Sequence, residues 1–172
     1  LYSQGIDGLV HIADESAAVH PSLYLAAMDV YGKAQDYEKI EKTGEKVLEK
    51  VNRQLKIRAE ICLKAAYASF RLGHEEKMMK FCWECFCSES TEKNFLRLFG
   101  TKEMAAQYGM RGKEVLKNRI RGNCENDIRN TELHRNIIDG YSYYFLSFYM
   151  GDFISVKSAS KNPAGSLGWS SS

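Results

Sequence analysis

The residues with the most obvious chemical potential are cysteines. Cys82-Trp83-Glu84-Cys85-Phe86-Cys87 places two thiols three positions apart, a spacing that lets both face one metal ion from a helix. A tetrahedral zinc needs two further ligands, and Cys62 and His74 are the candidates a neighbouring helix would bring. Against this, Cys82 and Cys85 share an apolar stripe with Met78 and Phe86, and no second Cys-x-x-Cys exists. Half a motif on an apolar face reads as core packing, because a thiol behaves as a small buried hydrophobe. No metal site is therefore assigned. The histidines His11, His20, His74 and His134 form no His-Glu-x-x-His arrangement, and no Gly-x-Ser-x-Gly or phosphate-cradling Gly-x-x-x-x-Gly-Lys occurs. The paired carboxylates Asp14-Glu15 and Glu75-Glu76 read as solvated charge. The reading is of a chain without catalysis of its own and without a cofactor; an enzyme with its active site in another segment is the remaining enzymatic possibility.

Two other clusters suit binding. Arg111, Lys113, Lys117, Arg119 and Arg121 lie in a short basic stretch with one intervening acid, Glu114, and Arg129 and Arg135 follow. Such a stretch can grip phosphates, and Tyr141, Tyr143 and Tyr144 could stack bases. Glu125, Asp127 and Glu132 supply partners for a bland salt-bridged surface instead. Residues 141–149 also pack six aromatics into nine positions, which on a helix means burial on several sides or a Tyr-rich binding wall.

The elements that must position these residues are helical. The chain has 172 residues, 44% hydrophobic and 27% charged, which excludes a disordered chain. Its 24 Lys and Arg against 22 Asp and Glu argue against a general nucleic-acid coat. No apolar run is long enough to span a membrane. Five cysteines, an odd number, and the lack of a basic-then-apolar leader point to reduced thiols in the cytoplasm. Tyr24, Ala27, Met28 and Tyr31 recur at helical spacing after Pro21, and Tyr37, Ile40, Gly44, Val47, Leu48 and Val51 form the next stripe. A hairpin over 21–52 follows. Ile61, Ala65, Ala68 and Leu72, then Met78, Cys82, Cys85 and Phe86, predict a second over 54–88.

The second hairpin overlays the first at a shift of 38 residues: Leu25 falls on Leu63, Ala27 on Ala65, Glu38-Lys39 on Glu76-Lys77 and Lys42 on Lys80. Lys46 over Glu84 is a mismatch. A shorter hairpin is expected over 91–108, a basic irregular connection over 109–131 where Gly109, Gly112 and Gly122 interrupt, and a last hairpin over 131–158. These make one domain, 1–158. The Ser/Gly-rich tail 159–172 and the absence of an initiator Met are read as marks of a segment of a longer protein.

The run Tyr31-Gly32-Lys33-Ala34-Gln35-Asp36-Tyr37-Glu38-Lys39-Ile40 resembles the inter-helix turn of the tetratricopeptide repeat. Tyr31, Gln35-Asp36-Tyr37 and Ile40 fill that motif's places. Ser69, Gly73-His74-Glu75 and Met78 fill them again, and Gly151-Asp152-Phe153 is a partial third copy. The period here is longer than the family's, Met28 stands where the family has a small residue, and the usual proline after the second helix is absent. The resemblance implies an all-α fold of stacked antiparallel hairpins in a right-handed superhelix, acting as a scaffold that binds a protein or peptide. In that arrangement the first helix of each pair lines a groove, which turns Asp29, Lys33, Lys64, Tyr67 and Arg71 toward a ligand. Their mostly positive charge suits an acidic or carboxylate-ended peptide. The leading expectation is a protein-binding module of a larger cytoplasmic protein; the alternative is a nucleic-acid-associated segment using 111–135.

Overall fold

The computed structural model describes residues 5–116, 147–148 and 151–160. Among the described residues every regular element is helical. The helices are α1 (Gly5–Glu15), α2 (Ser22–Lys33), α3 (Tyr37–Lys50), α4 (Lys56–Leu72), α5 (Glu75–Ser88), α6 (Glu92–Arg97), α7 (Lys102–Met104) and α8 (Phe153–Ser160). They fall into two compact units, one ending at Glu89 and one beginning at Ser90.

In the first unit α2 and α3 form the hairpin read over 21–52, and α4 and α5 form the one read over 54–88. Helix α4 is central and packs on α2, α3 and α5. Burial follows the 38-residue shift. Tyr24, Ala27, Met28 and Tyr31 of α2 are buried, and so are Cys62, Ala65, Ala66 and Ser69 of α4 at the corresponding positions. Large side chains in one copy are small in the other, so one periodic pattern produces two differently filled layers.

The two turns are alike in backbone as well as in sequence. Gln35 adopts φ +56° and Gly73 φ +75°. The next residues, Asp36 and His74, both donate their N–H to a carbonyl five residues back, Tyr31 and Ser69, each at 2.9 Å. This is the bonding that satisfies carbonyls left over at a helix C-terminus. In the second unit Gly151 (φ +76°) repeats it, with Asp152 N–H donating to Ser147 at 2.9 Å. Asp36 then caps α3 by accepting from the Lys39 N–H at 3.1 Å. His74 occupies the same place before α5 but its side chain makes no cap bond.

The second unit departs from the sequence expectation. Beyond α6 the chain enters α7, passes through a π turn over Ala105–Gly109, and stays helical over 110–116. The stretch from 109, expected as a long loop or short irregular helices, is helical over 110–116. Gly109 and Gly112 read as breakers, but here they allow close approach. A Cβ at Gly112 would lie 2.9 Å from Leu98 Cδ1, and one at Gly109 3.1 Å from the Phe99 ring. The rest of 109–131, the aromatic run 141–146 and most of the last expected hairpin lie outside the described residues.

Candidate functional site

The five residues assigned to a groove gather in the first unit. A cavity of about 650 Å³ opens between α2, α3 and α4. Asp29, Lys33, Lys64 and Tyr67 line it, above an apolar floor that includes Met28, Ile40 and Leu63. Tyr37, the first residue of α3, adds a further wall. Arg71 sits at the edge: its Nη1 donates to the Tyr37 hydroxyl at 2.8 Å and to the Tyr67 hydroxyl at 3.0 Å. The guanidinium carbon also lies 4.6 Å from the Tyr37 ring centre, a cation–π distance, and the two rings meet edge-on at 6.2 Å. Helical spacing explains the grouping. Lys64, Tyr67 and Arg71 recur at i, i+3 and i+7 along α4, and Asp29 and Lys33 at i and i+4 along α2.

The charges within the groove are not equivalent. Lys64 is bound to Asp29 at 2.7 Å, so the expected excess of positive charge is partly cancelled. Lys33 and Arg71 have no carboxylate partner among the described residues. Tyr67 remains half exposed although it is aromatic.

Three charged clusters escaped the sequence reading, and all tie helices together. Glu41 is 4% exposed and accepts from Ser69 Oγ (2.7 Å) and Lys77 Nζ (2.7 Å), with His74 Nδ1 at 2.9 Å. Burial pushes its carboxyl up. Bonds from Lys77, Ser69 and His74 outweigh that and hold it below the ordinary 4.5. Glu84, 8% exposed, pairs with both Nε and Nη2 of Arg53 and with Arg58 Nη1 at 2.9 Å. Here too burial is overcome, chiefly by Arg53, and the carboxyl sits low. Arg58 is itself buried, donating to the Leu48 carbonyl at 3.2 Å. Asp14 accepts from the Tyr24 hydroxyl and from Lys46, both at 2.8 Å. The reading of Asp14 as solvated charge is thus corrected: it anchors α1 to α2 and α3. Glu15 beside it is exposed, as expected. The Lys46–Glu84 mismatch has its cause here, since each charge serves a different helix contact.

The half-motif Cys82/Cys85 forms core wall. Cys85 and Cys62 are buried in the apolar cluster of the first unit and Cys82 packs against it. Burial pushes the Cys62 thiol up to about 12, far from the thiolate a nucleophile requires. His74, the fourth ligand considered, turns its ring to Glu41. Of the basic candidates, Arg111 is exposed with its guanidinium 5.8 Å from the Tyr108 ring centre, and Lys113 is half-buried. Both belong to the second unit. Lys117, Arg119 and Arg121, with Tyr141, Tyr143 and Tyr144, lie outside the described residues. No helix among the described residues is long and apolar enough to cross a membrane. The chain matches no protein-family model, no curated protein and no solved structure.

Proposed function

We propose that this chain is a protein- or peptide-binding module without catalysis of its own, working in the cytoplasm as part of a larger protein, and that its helix pairs stack in the manner of tetratricopeptide repeats. The observation that carries the reading is the convergence of Asp29, Lys33, Lys64 and Tyr67 on one cavity of about 650 Å³, with Arg71 pinned at its edge by two tyrosines. An apolar floor with a few oriented polar groups at its rim is the usual form of a recognition site. Exposed tyrosines add contact area at little entropic cost. The repeated turn at Gln35 and Gly73 supports the stacked-hairpin part of the reading.

The test is an array of short peptides graded in net charge, probed with purified protein and with a Lys33→Glu/Arg71→Glu variant, each with and without nuclease. Binding of defined peptides that the variant loses is the expected result. Equal binding by variant and parent would remove the groove from the account. A signal abolished by nuclease and steeply weakened between about 50 and 200 mM salt would turn attention to Arg111 and Lys113 instead.

A further inference from the structure

The donor inventory at the groove's edge is lopsided. Arg71 spends Nη1 on the two tyrosine oxygens. A guanidinium has five N–H donors, so Nε–H and the two hydrogens on Nη2 remain. Each tyrosine oxygen accepts from Arg71, which leaves its own O–H to donate. Lys33 Nζ adds a second cation in the same groove, without a partner among the described residues. The nearby carboxylates are committed: Asp29 holds Lys64 at 2.7 Å, and Asp36 accepts from the Lys39 N–H at 3.1 Å with Lys39 Nζ at 3.3 Å. What remains is a surplus of donors: two cations without a carboxylate partner among the described residues, beside one carboxylate, Asp29, whose Oδ1 already holds Lys64.

We infer that this edge is a phosphate site, and that the peptide occupying the groove carries a phosphorylated side chain gripped by Arg71, Lys33 and the hydroxyls of Tyr37 and Tyr67. The inference rests on the groove reading above and adds the chemistry of the occupant. A carboxylate brings one negative charge. A phosphomonoester brings about −1.5 to −2 and three acceptor oxygens, which matches two free cations and several donors better. Arginine suits the role because its planar fork is fixed, and here the fork is oriented in advance by two rings. Lysine or arginine in the last turn of a helix also offsets the helix dipole, which is the plainer role for Lys33 and Arg71. That role makes no use of Tyr37 and Tyr67, so the tyrosines discriminate between the two.

The experiment uses the whole chain and three degenerate peptide libraries, identical except for phosphoserine, serine or glutamate at one fixed central position. Binding is read by fluorescence polarisation. In parallel the Arg71 Nε–Hε resonance is followed by NMR during titration with phenyl phosphate and with benzoate. The phosphoserine library should bind at least about tenfold tighter than the other two. A Tyr37→Phe/Tyr67→Phe variant, with unchanged charge, should lose most of that margin. Arg71→Lys should lose it as well, and the Nε–Hε signal should move with phenyl phosphate more than with benzoate. Equal binding of the phosphoserine and glutamate libraries, or a margin untouched by the tyrosine pair, overturns the phosphate inference while the groove stands. Failure of all three libraries to bind overturns the groove reading with it. Circular dichroism of each variant separates lost binding from lost fold.

Discussion

Gly44 lets α3 approach α4 closely at Ala65, and substituting it tests the hairpin packing directly. A Cβ added there would stand 2.4 Å from Ala65 Cβ and 3.1 Å from the Phe81 ring, whereas ordinary contact begins at 3.4 Å. About 1.0 Å (3.4 − 2.4) must therefore be found between two helices. The obstacle is a Cβ fixed to the α4 backbone, so no rotamer change relieves it, and α4 is held at once by α2, α3 and α5. Overpacking of this kind costs about 1–3 kcal/mol or more. Alanine returns up to about 1 kcal/mol through helix propensity. Gly44→Ala should thus destabilise by about 1–2 kcal/mol and lower Tm by about 2–8 °C for a chain of this length. Gly32→Ala is the control. It also lies within a helix, but its nearest neighbour would be Ile40 Cδ1 at 4.0 Å. That variant should be stabilised by up to about 1 kcal/mol. Thermal and urea unfolding followed at 222 nm measure both. If the two variants shift stability in the same upward direction, α3 and α4 do not meet at Gly44 and the packing described here is wrong.

Glu84→Ala should destabilise by about 3–5 kcal/mol in urea titrations, because it strands the buried guanidinium of Arg58, while Arg53→Ala, on the half-exposed side of the same cluster, should change stability by less than about 1 kcal/mol. Glu41, Glu84 and Asp14 all sit below their ordinary carboxyl values when folded, so their contribution is complete above about pH 4.5 and is lost as pH falls through the lowered values. Unfolding free energy should therefore drop on acidification below that point, and Glu41→Gln should drop less steeply than the parent; parallel profiles would show that Glu41 is not linked. Cys62, with its thiol near 12 and no exposed surface, should be alkylated by iodoacetamide at pH 8 only as fast as the chain unfolds, whereas Cys82 should react first among the described cysteines. Gln35→Gly should stabilise by up to about 1 kcal/mol, since a side chain at φ +56° is strained and glycine is not; a loss of stability there would mean that the Gln35 side chain matters to the turn.

Periodicity made the hairpins of the first unit legible. Tyr24, Ala27, Met28 and Tyr31 repeat at helical spacing because one face of α2 must be dry, and the same demand on α4 leaves Cys62, Ala65, Ala66 and Ser69 in the same register. The turns were legible for a related reason: a left-handed residue followed by a helix start is a short-range requirement, met by Gln35-Asp36 and Gly73-His74 alike. The groove residues came from the tetratricopeptide resemblance, carried over by register along α2 and α4, and four of the five line one cavity. The second unit was harder to read. Glycine within a helix signals either a break or a close contact, and the sequence does not distinguish them. Gly109 and Gly112 turned out to be contacts because Phe99, Phe95 and Leu98 need the room.

The ion pairs were illegible for a reason that reaches back to function. Helix α3 carries Lys39, Lys42, Lys46 and Lys50 along one side and Glu38, Glu41, Glu45 and Glu49 along another. From sequence both stripes look like a solvated face. In the fold each faces a different neighbour: Lys46 and Lys50 reach Asp14 of α1, while Glu41 and Glu45 take Lys77 of α5. Which charges are consumed by such contacts depends on which helices become neighbours, and that is settled by the apolar stripes. Only after this pairing is known can the remainder be identified. In the groove the remainder is Lys33 and Arg71, since Lys64 is taken by Asp29. A count over the five groove residues gives three cations and one anion; the geometry narrows this to Lys33 in the cavity wall and Arg71 on the hydroxyls of Tyr37 and Tyr67, both without a carboxylate partner among the described residues. The proposed phosphate grip depends on that subtraction, so Asp29→Asn, which releases Lys64, should tighten the binding of phosphorylated peptides and extend the grip toward the middle of α4.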